Sequence, residues 1–277
     1  MRRLEGRTIV VTGAADGIGR ALAHVFAGAG GRLVLADVQG ESAAALAHDL
    51  RRAGAQALSV EADVADEAAP QTILSAALRE FGAAHVLVNN AGVAAPGRSM
   101  AALGPDDWRW VIDVNLLGPV RMIDAFLPSL VRAEEAHIVN VASITAFDPG
   151  PYNAPYCASK AALAAMSESL ADELAIEAAH VGVTIVCPGP VRTSIARSEE
   201  RRPSAYGAPR APAAMPDPMK QRLAQAAAEA LAPEEVAEAV LNAVSRRARF
   251  VFTHENAHAR AMRRIKAAFG DAESGLV

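Results

Sequence analysis

Seven short apolar runs alternate with stretches of helical periodicity, and this alternation limits the fold more than any other feature of the chain. The runs span 8–12, 32–37, 57–61, 85–89, 137–142, 183–187 and 249–253. Short, rich in β-branched residues and nearly continuous in apolar character, they read as strands covered on both faces. The stretches 20–28, 42–53, 71–81, 106–131 and 156–179 read as helices. A strand followed each time by a helix crosses over right-handedly to a parallel neighbour. The expected fold class is therefore α/β: a doubly wound, mainly parallel seven-stranded sheet with helices on both faces. The 277 residues, 52% of them hydrophobic, suffice for one sizeable core, so a single domain over 1–277 is expected.

The first strand runs directly into Thr12-Gly13-Ala14-Ala15-Asp16-Gly17-Ile18-Gly19, and a helix follows. Glycines let a backbone approach a diphosphate, and the helix N-terminus offers free N–H groups and the positive end of its dipole. A glycine pattern between a strand and a helix is the context that a Rossmann dinucleotide site requires. Asp37 ends the second strand, 18 residues after Gly19. A carboxylate there is placed to accept from the adenosine ribose hydroxyls. Alone it could equally start a turn; beside the glycine turn the ribose role is favoured.

Tyr156 and Lys160 stand four residues apart, on one face if 156–179 is helical. A free tyrosine has a pKa near 10, and a neighbouring cation favours the phenolate. Ser143 follows the fifth run, at the carboxyl end of the sheet, where α/β proteins bind ligands. Its hydroxyl can donate to a carbonyl oxygen.

Taken together, Thr12-Gly13-x-x-x-Gly17-Ile18-Gly19, Asp63-Val64, Asn89-Asn90-Ala91-Gly92, Asn115, Ser143, Tyr156-x-x-x-Lys160 and Pro188-Gly189 with Thr193 resemble the single-domain short-chain dehydrogenases/reductases. The resemblance covers nearly the first 195 residues. It implies an NAD-dependent oxidoreductase that moves a hydride between nicotinamide and a secondary alcohol or ketone, without a metal. Tyr156 would be the general acid/base. Lys160 would hold the nicotinamide ribose and lower the Tyr156 pKa, Ser143 would polarise the substrate oxygen, and Asn115 would anchor a water of a proton relay. Gly13, Asp16, Gly17, Ile18 and Gly19 would cradle the cofactor, with Asp37 and Val38 at its ribose and Asp63 and Val64 at its adenine. Asn90, Ala91 and Gly92 would line its floor, and Pro188, Gly189, Val191 and Thr193 its nicotinamide end. By the same analogy the helices over 106–131 and 156–179 would pair subunits into a homotetramer.

The segment 194–218 carries Pro203, Pro209, Pro212, Pro216 and Pro218, so it cannot be one regular helix. It begins directly after Thr193, over the expected meeting point of hydride and substrate. We expect a substrate lid, with few residues able to join a core and a weakly held closed state. Phe147, Tyr152, Pro190, Tyr206, Met215 and Met219 are candidates for an apolar substrate pocket, which suits a lipophilic alcohol.

Other readings carry less. With a formal net charge of −4 and no basic stripe, the chain shows no nucleic-acid footprint. Cys157 and Cys187 form no disulfide framework and read as small packing residues of a reducing compartment. No long apolar leader and no run of about 18 apolar residues is present, so a cytoplasmic protein without membrane contact is expected. His254-Glu255-x-x-His258 matches a zinc motif, but it follows the last strand with no later histidine and reads as the start of a surface helix. A dehydratase or epimerase on the same fold, or a non-catalytic dinucleotide-binding regulator, remain alternatives to the redox function.

Overall fold

A computed structural model describes residues 4–208 and 216–269 of the chain. Strands β1 (Thr8–Thr12), β2 (Arg32–Asp37), β3 (Gln56–Glu61), β4 (Val86–Asn89), β5 (Ala136–Val141), β6 (Val181–Cys187) and β7 (Phe250–Phe252) form one sheet. Its order is β3-β2-β1-β4-β5-β6-β7, and every neighbouring pair is parallel. The chain winds outward from β1 to β3, then returns to place β4 against β1. At that reversal the connections after β1 and β4 leave in opposite directions and open a crevice at the carboxyl ends of the strands.

Helices α1 (Gly17–Gly28), α2 (Gly40–Arg52) and α3 (Ala69–Phe81) follow the first three strands. After β4 come α4 (Pro105–Ile112) and α5 (Gly118–Arg132), and after β5 comes α6 (Ala154–Glu177). Helices α7 (Asp217–Ala228) and α8 (Pro233–Arg246) precede β7, and α9 (Ala257–Phe269) follows it. On one face of the sheet, Leu22 and Phe26 of α1 pack over β1 and β2, and Val240 and Val244 of α8 join the same cluster beside α1, towards β6 and β7. On the other, Ile73 of α3 packs with Met122, Phe126 and Leu130 of α5 and Leu174 of α6. Cys157 and Cys187 are buried and free, as packing residues.

The expected single helix over 106–131 is divided. Asp113–Leu117 forms a π-helical turn between α4 and α5, closed by the Gly118 N–H bonding the Asp113 carbonyl. Pro119 follows and has no N–H, so it cannot make the α-helical bond to the Asn115 carbonyl four residues back. Apolar periodicity continues through such a turn and does not reveal it. By length and composition Pro105–Arg132 could cross a membrane. Here it carries Asp113, Arg121 and Asp124 and buries Met122, Phe126 and Leu130 against the sheet, as a core helix does.

The segment after β6 also differs from expectation. Its first part folds into two short 3₁₀ turns, Ile195–Arg201 and Ser204–Tyr206. Residues 209–215, with Pro209, Pro212 and Met215, lie outside the described residues. Far from being weakly held, the turns are anchored by buried polar side chains. The Ala94 N–H donates to the Ser198 hydroxyl at 3.2 Å. Arg98 donates to both carboxylate oxygens of Glu199, one of them at 2.7 Å. Arg202 is ion-paired with Asp107, side chains 2% and 3% exposed, and donates to the Tyr206 carbonyl at 2.6 Å. Its guanidinium lies 5.3 Å from the centre of the Trp110 ring. Arg98 stands 3.7 Å from Asp107 and links the two pairs.

Candidate active site

The glycine turn is fastened to the exit of β4. The Thr12 hydroxyl accepts from the N–H groups of Asn90 and Ala91 at 3.1 Å each and donates to the Val88 carbonyl at 3.2 Å. The Asn90 amide donates to the carbonyls of Thr12 and Gly13 at 2.9 and 3.0 Å. The close approach explains the glycines. A Cβ at Gly13 would stand 2.8 Å from the Ala91 Cα, and one at Gly19 2.0 Å from the Gly13 carbonyl oxygen. Asp16 caps α1, its carboxylate accepting from the Gly17 N–H at 2.7 Å and, on its other oxygen, from the Ser194 hydroxyl. That Ser194 bond, with weaker help from Gly17, Arg201 and Arg197, outweighs burial and holds the Asp16 carboxyl below its ordinary range.

Asp37 at the end of β2 is buried, and each carboxylate oxygen accepts one backbone N–H at 2.9 Å, from Ala15 and from Gln39. Each oxygen keeps further acceptor capacity, and the residue lines the cleft, as a partner for a ribose diol must. Val38 beside it is half-exposed. Asp63 accepts from the Ala65 N–H at 2.9 Å, which shapes the turn after β3. Val64 is buried against Gly118 of α5.

At the other end of the cleft, Ser143 follows β5, and α6 carries Tyr156 and Lys160. Burial pushes the Tyr156 hydroxyl up to about 12, while a hydrogen bond with Ser143 pulls the other way. Burial pushes the Lys160 ammonium down to about 8. Lys160 donates to the Val141 carbonyl at 2.7 Å and stands 5.7 Å from the centre of the Tyr156 ring. The lowering of Tyr156 expected from its cation is thus not what this cleft shows, because burial of the phenol outweighs the pull of its neighbours.

Asn115, in the π turn, accepts from the Val93 N–H at 2.8 Å and donates to the Val93 carbonyl and to Ser159 at 2.9 and 3.0 Å. Ser159 donates to the Tyr156 carbonyl at 2.8 Å, so the π turn braces the start of α6. A second buried chain runs deeper: Asn89 donates to Asn140, Asn140 to Ser167, both at 2.8 Å, and Ser167 to the Leu163 carbonyl at 2.6 Å.

One cleft is lined by Gly13, Asp16, Gly17, Ile18, Asp37, Val38, Asp63, Val64, Asn90, Ala91, Gly92, Tyr156, Lys160, Pro188 and Thr193. Five other expected residues stand behind it. Gly19 packs under Gly13, Asn115 is fully buried, and Ser143 lies against Tyr156. Gly189 faces the His254 ring, and Val191 bridges to Leu231. Of the expected apolar pocket residues, Met215 lies outside the described ones, and the others are not among those lining this cleft. Phe147 stacks edge-on with Phe250 and Phe252, and the Tyr206 hydroxyl meets Asp113 at 3.1 Å. Trp110, Val93, Ile195 and Pro203 line the cleft instead.

Two features escaped the sequence reading. His254 accepts from the Gly189 N–H at 3.2 Å and backs the turn after β6, a use unrelated to its zinc-like spacing. Ser194 and Arg201 reach the cleft from the segment after Thr193. Neither feature has a local pattern, since each pairs residues far apart in the chain.

Comparison with known proteins agrees with this geometry. The profile of the family described as short chain dehydrogenase matches residues 7–204. The 1-deoxy-11-beta-hydroxypentalenate dehydrogenase of Streptomyces avermitilis is 34% identical over 93% of this chain and 88% of its own. A dehydrogenase/reductase of CLA biosynthesis from Lactiplantibacillus plantarum is 32% identical over 76% of this chain and 74% of its own. A short-chain dehydrogenase/reductase from Burkholderia phymatum, solved in complex with NAD, superposes with a TM-score of 0.92 at 34% identity. It covers 100% of this chain and 99% of that one. The chain belongs to the short-chain dehydrogenase/reductase family and is an oxidoreductase with that family's Rossmann-type fold.

Proposed function

We propose that the protein is an NAD-dependent dehydrogenase that interconverts a secondary alcohol and its ketone. The observation that carries this reading is the pairing of Tyr156, backed by Ser143, with Lys160 at one end of a cleft whose other end holds Asp37 and the glycine turn. The cleft fits the dinucleotide. Gly13 and Gly17 bring the backbone to the N-terminus of α1, where a diphosphate meets free N–H groups. Asp37 keeps an acceptor on each oxygen for the ribose diol. A Cβ at Gly92 would stand 3.5 Å from both Asn115 and Lys160, so the glycine leaves the floor open beside the ammonium.

A dinucleotide held by Asp37, the glycine turn and Lys160 would supply the hydride chemistry. The chain supplies the proton chemistry. In ketone reduction Ser143 holds the carbonyl oxygen and Tyr156, protonated at neutral pH, gives it a proton. In alcohol oxidation Tyr156 acts from its phenolate form, whose charge Lys160 offsets; it takes the hydroxyl proton and becomes the neutral phenol. Asn115 holds the π turn against α6 beside Lys160.

Several finer readings belong here. The apolar lining of Trp110, Val93, Ile195 and Pro203 supports a lipophilic substrate. The turns of 195–206 cover the cleft as a lid, anchored by Arg98 and Asp107. Leu117, Val120 and Val131 of the α5 region and Ile176 of α6 are exposed apolar residues, which supports subunit pairing and a homotetramer. A cytoplasmic location suits the two free cysteines.

The test is NADH formation from NAD with a panel of secondary alcohols, monitored by absorbance, beside the Tyr156→Phe variant. Turnover that disappears in the variant supports the reading. An equal signal from both proteins, or none from either with NAD or NADP, overturns it.

A further inference from the structure

The diphosphate end of the cleft contains an electrostatic conflict. Asp16 places a carboxylate at the N-terminus of α1, where it takes the Gly17 N–H at 2.7 Å. A dinucleotide brings two further negative charges to the same helix end. Like charges packed this closely are unfavourable unless a cation offsets them.

The cation is present, and it comes from the segment over the cleft. Among the described residues lining the cleft, Lys160 and Arg201 are the only lysine or arginine side chains. Lys160 is committed to the nicotinamide end, bonded to the Val141 carbonyl. Arg201 is at the other end. Its guanidinium lies 3.4 Å from the Ser194 hydroxyl, which itself donates to Asp16. Arg201, Ser194 and Asp16 therefore form one chain from the lid to the cap of α1. Arg201 is half-buried, and its neighbours Glu199 and Arg202 are fixed to Arg98 and Asp107. The guanidinium is held over the phosphate-binding turn by a rigid mount.

We propose that Arg201 is a ligand of the cofactor diphosphate, presented by the anchored 195–206 turns and positioned at the cap of α1 through Ser194 and Asp16. This rests on the dinucleotide reading of the cleft. Asp16 holds Arg201 in place beforehand and competes with the phosphates for it.

The experiment is calorimetric titration of wild type, Arg201→Ala, Arg201→Lys and Asp16→Asn with NADH and with ADP-ribose. Saturation-transfer NMR with adenosine, which lacks the diphosphate, accompanies it. Arg201→Ala is expected to weaken NADH and ADP-ribose by about tenfold or more, the effect of losing a hydrogen bond to a charged group, and to leave adenosine unchanged. Arg201→Lys keeps the charge and restores most of the affinity. Asp16→Asn keeps the helix cap, removes the competing charge and tightens NADH. Unchanged NADH affinity in Arg201→Ala overturns the inference, and so does an equal loss for adenosine, which would mean general damage to the cleft. Wild-type protein that takes up neither NADH nor adenosine overturns the dinucleotide reading instead, and the Arg201 assignment with it.

Discussion

The methyl group of Thr193 occupies the space where a side chain at Gly17 would begin, 2.8 Å from the position of the missing Cβ. This contact joins the turn after β1 to the turn after β6, both of which line the cleft. Gly17 also has a φ of +53°, in the left-handed region. Gly17→Ala adds strain of about 1–2 kcal/mol and pushes Thr193 away. Weaker NADH binding and a lower kcat are expected together. Calorimetry and steady-state kinetics check this, and a variant with normal values in both would show that the contact is slack.

Asp37 is expected to set the preference between the two nicotinamide dinucleotides. A 2′-phosphate would meet its carboxylate, which is already anchored by Ala15 and Gln39, with Asp16 and Asp63 lining the same cleft. NAD is expected to give the higher kcat/KM. Asp37→Ser with Val38→Arg removes one charge and adds a bidentate phosphate partner, shifting preference towards NADP. Equal or better efficiency of the wild type with NADP would refute this.

Tyr156→Phe keeps the ring and removes the transferable proton. A fall in kcat of about 10²–10⁴-fold is expected, with NADH affinity retained. The two are read separately, by turnover assay and by titration. Near-normal turnover would remove Tyr156 from the chemistry.

Arg202→Met leaves Asp107 buried with only the more distant Arg98 for charge. Breaking a buried pair costs about 3–5 kcal/mol, so the thermal midpoint should drop by several degrees. The methionine can still lie on Trp110. If the 195–206 turns serve as a lid, the substrate KM also rises. A lower midpoint with unchanged substrate kinetics would make the cluster a structural clamp and no more.

His137 links stability to acid. Burial, with help from Arg247, pushes it down from 6.5 to about 3. Its Nε2 lies 2.8 Å from the Thr184 hydroxyl, which donates to the Ala248 carbonyl at 2.7 Å, so Nε2 carries the proton and the ring is neutral. Above pH 6.5 neither folded nor unfolded chain binds a proton there. Between 6.5 and about 3 only the unfolded chain does, so stability falls as pH falls, by about 1.4 kcal/mol per pH unit for this one group. Denaturant melts from pH 7 to 4 should show a shallower acid loss in His137→Leu than in wild type. Identical slopes would locate the acid sensitivity elsewhere.

Much of this was legible in the chain itself, for physical reasons. β1 and β2 fall on their expected residues because a strand covered on both faces shows as a short, nearly continuous apolar run. Gly13, Asp37, Tyr156 and Lys160 were visible because backbone approach, a strand end and a four-residue helical spacing are local constraints. The division of 106–131 was not, since the π turn depends on which N–H groups exist rather than on which side chains are apolar. Nor was the firmness of the 195–206 turns. Arg98 and Glu199 are 101 residues apart, and Arg202 and Asp107 95. Prolines warn that a segment is irregular; they do not say what will hold it.

The buried chain from Asn89 through Asn140 and Ser167 to Leu163 has a consequence for α6. This helix spreads alanines and leucines around its whole circumference, so apolar packing alone would let it slide or turn against the sheet with little penalty. The amides admit one setting, because a shift of a single turn would strand the Asn140 amide away from Ser167. They act as an indexing pin between β4, β5 and α6. Ser167 sits seven residues beyond Lys160 on that helix, so the pin that sets one also sets the other. The height of the phenol and ammonium above the sheet edge is thereby fixed from inside the protein, before any ligand arrives.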